Sequence, residues 1–191
     1  MHRNPSSART RAGTLTLLSL AILGLALAAA PGAVSGQEAE RATVLGRFTL
    51  DEPATRVQTR IERAIDRSIQ DMNALIRGIA RRRLAEYTPV VRNVRLAVHG
   101  DVIAVSLDGR TVRGNADGSE REVTTPTGDE ALLTSRLQGA RLTQSFVFDQ
   151  GTRRHVFTRR PDGKLVLQVS MGSEQLPAPV SYAMRFRPSR R

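Results

Sequence analysis

The chain has 191 residues, enough for one domain with a substantial core. It carries 29 Lys and Arg against 18 Asp and Glu, a formal net charge of +11, and Lys164 is its one lysine. Because it has no cysteine, disulfides, thiol nucleophiles and cysteine metal sites are excluded.

Residues 1–36 have the pattern of a secretory signal peptide. Three arginines come first: Arg3, Arg9 and Arg11. An apolar run follows at residues 15–30, and small residues precede a predicted cleavage before Gln37. We therefore expect an exported protein, periplasmic or extracellular. An uncleaved anchor is the alternative, and the mature chain is predicted to have no transmembrane span.

The mature chain is predicted to form a single domain. Residues 37–52 are a polar lead-in whose apolar patch, residues 44–50, is either a short strand or a contact onto the next helix. Residues 53–191 are predicted to form one helix-plus-antiparallel-sheet domain.

A long amphipathic helix is predicted for residues 53–86. Its apolar residues recur at spacings of three and four, as one helix face requires: Val57, Ile61, Ala64, Ile65, Ile69, Met72, Leu75, Ile76 and Ile79. The opposite side carries an arginine ridge: Arg56, Arg60, Arg63, Arg67, Arg77 and Arg81. Gly78 costs about 1 kcal/mol relative to alanine in a helix interior. A kink there, or a break into two helices, is the alternative to one continuous helix.

From Val91 onward the apolar residues alternate with polar ones, which predicts an antiparallel meander. Seven strands are expected, near residues 93–99, 102–107, 131–137, 141–149, 153–160, 164–171 and 180–187. An eighth, weak strand is expected around residues 121–125. Tight-turn dipeptides such as Asp162-Gly163 separate the strands.

The width of this sheet predicts that it curls. Seven strands span roughly 34 Å, whereas one helix is only about 10 Å across. A flat sheet would leave its apolar face uncovered. We therefore predict an α+β fold, in which the helix crosses the concave mouth of an open or partial barrel. Its apolar stripe faces inward and the arginine ridge faces outward.

Several motifs resemble those of a known group of proteins. They are Met72-Asn73, Ile-Ala-Arg-Arg-Arg-Leu at 79–84, Leu-Thr-Gln-Ser-Phe at 142–146, Pro161-Asp162-Gly163, and Ser-Glu-Gln-Leu-Pro-Ala-Pro-Val at 173–180. Together they resemble a family of uncharacterised secreted bacterial proteins with an N-terminal helix and a lipocalin-like antiparallel meander. The resemblance implies that architecture for most of the mature chain. It implies no activity and no site residues.

No catalytic constellation is identifiable. His99 and His155 lie on predicted strands, outside any metal-binding spacing. The chain has neither a Gly-x-Ser-x-Gly elbow nor a phosphate-binding loop. We therefore predict no catalytic residue, no metal and no cofactor.

The leading functional hypothesis is an exported, non-enzymatic module that binds an apolar or amphipathic ligand between sheet and helix. The groove candidates are Phe146, Phe148, Tyr182 and Phe186, and the alternative is that they simply fill the core. The alternative is an adaptor whose arginine ridge binds an anionic envelope component or a protein partner. No specific nucleic acid is predicted, since no aromatics interleave with those arginines. A hydrolase with a dispersed site is the third hypothesis.

Overall fold

The computed structural model describes residues 44–189 as two helices and ten strands. The helices are α1 (Ala54–Ile69) and α2 (Ala74–Tyr87). The strands are β1 (Gly46–Leu50), β2 (Asn93–His99), β3 (Val102–Leu107), β4 (Arg110–Asn115), β5 (Arg121–Thr124), β6 (Glu130–Gln138), β7 (Arg141–Phe148), β8 (Gly151–Arg159), β9 (Leu165–Gly172) and β10 (Val180–Pro188). The predicted signal peptide lies outside the described residues.

The strands form one antiparallel sheet in the order β4-β3-β2-β1-β10-β9-β8-β7-β6-β5. Alternation sets which side chains face the concave interior, since successive strand residues point to opposite faces. Leu167 on β9, for example, pairs with Phe157 on β8 and Met184 on β10. All three are fully buried, so a continuous apolar layer lines the inside of the curled sheet.

The two edges of the sheet approach each other without a backbone ladder between them. At this seam β4 lies against β6, where a Cβ on Gly114 would stand 2.2 Å from Ser135 Oγ. The result is a nearly closed barrel, and the predicted α+β fold with an open or partial barrel is confirmed. The sheet has ten strands rather than seven or eight, because β1 and β4 also join it. β1 lies within the apolar patch at residues 44–50 and is paired between β2 and β10.

The first helix covers the core as predicted. Its buried residues are Val57, Ile61, Ala64, Ile65, Ser68 and Ile69. The five apolar ones join the same hydrophobic cluster as the inward residues of the sheet. The start of α1 is fixed by Glu52, whose carboxylate accepts from the Arg60 guanidinium at 2.7 and 3.0 Å and from the Arg185 backbone N–H at 3.1 Å. Near its other end, the Ser68 hydroxyl donates to the Ala178 carbonyl.

The second helix departs from the prediction in two ways. The helical stretch is interrupted at residues 70–73 and not at Gly78, which lies inside α2 with no neighbour that a Cβ would touch. Asn73 caps the new helix by accepting from the Leu75 N–H at 3.0 Å. The break also turns the apolar stripe: Leu75, Ile76 and Ile79 face solvent, 86%, 56% and 59% exposed. Leu84 is the buried residue of α2.

Candidate functional site

A cavity of about 400 Å³ lies inside one end of the barrel. Its rim comes from the α2–β2 connection, the β3–β4 turn and the β5–β6 turn, which lie at the same end of the antiparallel sheet. Most of its wall is apolar and includes Val91, Val105, Val112, Phe146, Leu167, Val169 and Met184. The volume falls within the range of small-molecule sites, about 300–1,000 Å³.

Three polar side chains interrupt the apolar interior on adjacent strands. Ser135 on β6 pairs in register with Gln144 on β7, which pairs with His155 on β8. All three are buried, and Gln144 Nε2 donates to Ser135 Oγ at 3.3 Å. Gln144 and His155 line the cavity, so a polar row crosses its wall.

Arg153 places a positive charge in the same wall, two residues before His155 on β8. Its guanidinium lies 5.7 Å from the ring centroids of both Tyr87 and Phe148. Its Nε atom is buried without a hydrogen-bond partner, and no carboxylate in residues 44–189 lies at ion-pair distance. Burial lowers the pKa of Arg153, opposed by Tyr182, Asp129 and Tyr87. Arginine nevertheless stays protonated at neutral pH, since its ordinary pKa is above about 12.

Two titratable neighbours of Arg153, His155 and Tyr182, are neutral at neutral pH. Burial, and then the charge of Arg153, lower the pKa of His155 to about 3. Its ring packs edge-on against Phe146, and its Nδ1 is buried without a hydrogen-bond partner. Burial raises the pKa of Tyr182 to about 12, so its phenol keeps its proton. The interior of the cavity therefore combines the Arg153 cation, neutral polar groups and an apolar wall, and the exposed Asp108 and Arg110 place one charge of each sign at its rim.

A second space, the outer pocket, lies beside the cavity with a volume of about 630 Å³. It is bordered by Arg83 and Leu84 on α2, by Glu130 at the start of β6 and by Phe148 at the end of β7. Tyr87 and Arg153 line both spaces. These two residues therefore stand between the interior of the barrel and the surface beside α2.

The structure separates the four groove candidates. Phe146 and Tyr182 line the cavity, and Phe148 lines the outer pocket. Phe186 is fully buried in the core and lines neither space. Sequence reasoning did not select Arg153, His155, Gln144 or Tyr87. The sequence signal for this site was the pair Arg153 and His155, because residues two apart on a strand lie on the same face of the sheet.

The arginine ridge does not form one uniform surface. Three of its members on α1 are exposed: Arg56, Arg63 and Arg67. The other three make contacts within the protein. Arg60 is paired with Glu52, Arg81 contacts Asp66 at 2.6 Å, and Arg77 donates to the Met72 carbonyl at 2.8 Å.

Two properties of the described residues concern other kinds of site. Within residues 44–189, no cluster of three or more His, Cys, Asp or Glu is placed to hold a metal ion. No helix in that part of the chain is long and apolar enough to span a membrane.

Comparison with known proteins gives low-level structural similarities. No family model matches the chain, and no curated protein matches it. The lipid binding protein 8 of Caenorhabditis elegans has a TM-score of 0.46 at 12% identity, over 76% of this chain and 94% of that one. The brain fatty acid-binding protein of Drosophila melanogaster has a TM-score of 0.45 at 16% identity, over 78% and 100%. The zebrafish ileal bile acid-binding protein, solved with cholic acid, has a TM-score of 0.45 at 12% identity, over 78% and 100%.

Similarity at this level carries no argument about function. The resemblance to secreted bacterial proteins stays a prediction, and the cavity has to be judged from its own residues.

Proposed function

We propose that the protein binds an amphipathic small molecule with an anionic end group. The apolar part lies in the cavity along Val105, Val169 and Met184, and the anionic group contacts Arg153. A carboxylate, sulfate or phosphate would serve, because each accepts charge-assisted hydrogen bonds from a guanidinium.

The observation that carries this proposal is the state of Arg153. A half-buried cation without a bonded anion is costly, because removing a charge from water is repaid only by a close partner of opposite sign. Here two aromatic faces, Tyr87 and Phe148, flank the guanidinium, and its Nε is unsatisfied. A ligand anion would supply the missing partner.

The electrostatics of the cavity favour binding over catalysis. A general base works best with a pKa near the operating pH, and the pKa of His155 is lowered to about 3 by burial. The other buried polar groups of the wall, Gln144 and the Tyr182 phenol, do not ionise at neutral pH. We infer a non-enzymatic module.

Native mass spectrometry of protein purified from its producing cells tests the function. The expected result is a bound organic anion on the parent chain, or one acquired when dodecanoate is added, and its loss from Arg153→Gln. Arg154→Gln is the matched control, because Arg154 is exposed on the outer face of the same strand. If the parent neither carries nor acquires an anion, or if Arg153→Gln binds it equally, the proposal is wrong.

We also propose that the protein acts after export. The support is the run of arginines, apolar residues and small residues in residues 1–36. Intact mass of the secreted protein should show cleavage before Gln37. A secreted species of full-length mass would contradict this.

A further inference from the structure

The large exposed apolar side chains of the described residues lie on three elements. Five large apolar residues are exposed within residues 44–189: Leu75, Ile76, Ile79, Leu132 and Val147. Leu132 and Val147 are direct cross-strand partners on β6 and β7. The other three lie on α2. All three of these elements contribute other residues to the border of the outer pocket.

The outward side of α2 carries most of that surface. Leu75 and Ile79 are four residues apart and therefore lie one above the other on one helix face. Ile76 flanks them. Soluble proteins tolerate scattered exposed apolar residues, but a contiguous group on one helix marks an interaction surface. The stripe of α1 already covers the core, and Leu75, Ile76 and Ile79 take no part in the core cluster.

Charge on the same helix indicates the kind of partner. Residues of α2 include four arginines and one acid, Glu86. Arg82 and Arg83 are exposed and follow Ile79 by three and four residues, so they extend its face. Asp129, Glu130 and Asp149 border the outer pocket on the strand side, so the attraction for an anionic partner comes from the helix.

We propose that the outward face of α2 docks on the surface of an anionic lipid bilayer. Leu75, Ile76 and Ile79 enter the boundary between headgroups and acyl chains, and Arg82 and Arg83 contact anionic headgroups. Exposed apolar residues followed by arginines on one helix face can bind an anionic membrane surface through both kinds of side chain. The proposal needs no ligand in the cavity, so it stands or falls separately from the proposed function.

Co-sedimentation with vesicles of phosphatidylcholine and phosphatidylglycerol in equal amounts tests it, with protein purified from cells that express the whole chain. The parent should bind, and added salt should weaken binding. Leu75→Ser with Ile79→Ser should reduce partitioning about tenfold or more. Arg82→Gln with Arg83→Gln should reduce it by a similar factor at low salt, and vesicles of phosphatidylcholine alone should bind the parent weakly.

The matched control removes two charges at the other end of the barrel. Arg141→Gln with Arg160→Gln changes exposed arginines at the β6–β7 and β8–β9 turns and should bind like the parent. Equal binding by parent and the Leu75/Ile79 variant would overturn the proposal. The proposal would also be overturned if the parent were a dimer that does not bind vesicles and the Leu75/Ile79 variant were a monomer. The face would then join two copies of the chain.

Discussion

The guanidinium of Arg153 on β8 lies over the ring of Tyr87 at the end of α2, 5.7 Å from the ring centroid. Both residues line the cavity and the outer pocket. A cation over an aromatic face is attracted by the ring quadrupole, by about 0.5–1 kcal/mol at exposed sites and more when desolvated. This contact joins the second helix to the barrel where the cavity meets the surface.

Removing the Tyr87 ring should open the cavity toward the outer pocket. We expect a bound amphipathic anion to dissociate about tenfold faster from Tyr87→Ala than from the parent. Differences in affinity between closely related binding sites lie mostly in the dissociation rate. Tyr87→Phe keeps the aromatic face and should behave like the parent. Stopped-flow displacement of a fluorescent dodecanoate analogue measures the rates. Identical rates in parent and Tyr87→Ala would mean that the ring does not separate the two spaces.

The seam of the barrel should tolerate no side chain at Gly114. An added Cβ would lie 2.2 Å from Ser135 Oγ and 3.1 Å from Leu133 Cδ2, both inside the core. We expect Gly114→Ala to lower the free energy of unfolding by about 1–3 kcal/mol. Gly78→Ala is the control: it meets no atom and removes a glycine from a helix, so it should stabilise by about 0.5–1 kcal/mol.

Urea unfolding measures both glycine variants. Combining Gly114→Ala with Ser135→Ala should recover part of the loss, because the shortest contact is removed. An unchanged midpoint for Gly114→Ala would show that the strands at the seam stand further apart.

Much of the fold was predictable because most of the strands alternate apolar and polar residues. β2 and β3 begin and end where the sequence placed them. β4 was missed because Arg-Thr-Val-Arg-Gly-Asn has a single apolar residue, and its pairing with β3 depends on register that composition does not reveal. The spacing of Leu75 and Ile79 matched the stripe of α1, but Asn73 caps a separate helix and redirects it. A cap residue inside a periodic segment was the available warning.

The candidate site was less predictable than the fold. β8 carries arginines on both faces, Arg153 inward and Arg154 outward, so hydrophobic alternation does not identify its buried side. The buried side of β8 is identified by its register, in which His155 pairs with Gln144 and Val169. Phe146 and Tyr182 reached the cavity because their strands are apolar on one face throughout. Phe186 has the same pattern but lies under α1.

Stability should fall with acidification before the carboxylates titrate. Burial lowers the pKa of His155 from 6.5 to about 3, so between these values the unfolded chain binds a proton that the folded chain excludes. The contribution of neutral His155 to stability is therefore fully present above pH 6.5 and is lost as the pH falls towards 3. Between pH 6.5 and 4.5 the free energy of unfolding should fall by about 2 kcal/mol because of His155.

Urea midpoints across that interval measure the effect of His155. His155→Asn should make the urea midpoint depend less on pH. His99→Gln, which changes an exposed histidine on β2, should leave that pH dependence unchanged. The same slope in His155→Asn would mean that His155 is hydrated in the folded protein.

Two neighbouring arginines of α1 should differ in their effect on stability. Arg60 holds the pKa of Glu52 below its usual range through a two-point hydrogen bond, and the Glu52 side chain is only 8% exposed. Arg60→Gln should therefore cost about 2 kcal/mol, because the carboxylate loses its cation. Arg63→Gln removes an exposed charge and should stay within about 0.5 kcal/mol of the parent. Chemical denaturation compares the two, and equal values would show that the Arg60–Glu52 pair adds nothing.

Whether Arg153 recognises an anion is best measured with two ligands of the same chain length. Isothermal titration of parent and Arg153→Gln with dodecanoate and dodecanol separates the end group from the apolar chain. The parent should bind dodecanoate more tightly than dodecanol. Arg153→Gln should weaken the affinity for dodecanoate by about 10–100-fold, which corresponds to the loss of hydrogen bonds to a charged group. Dodecanol should bind both proteins equally. If the ratio of the two affinities is the same in parent and variant, the cavity does not hold an anion at Arg153.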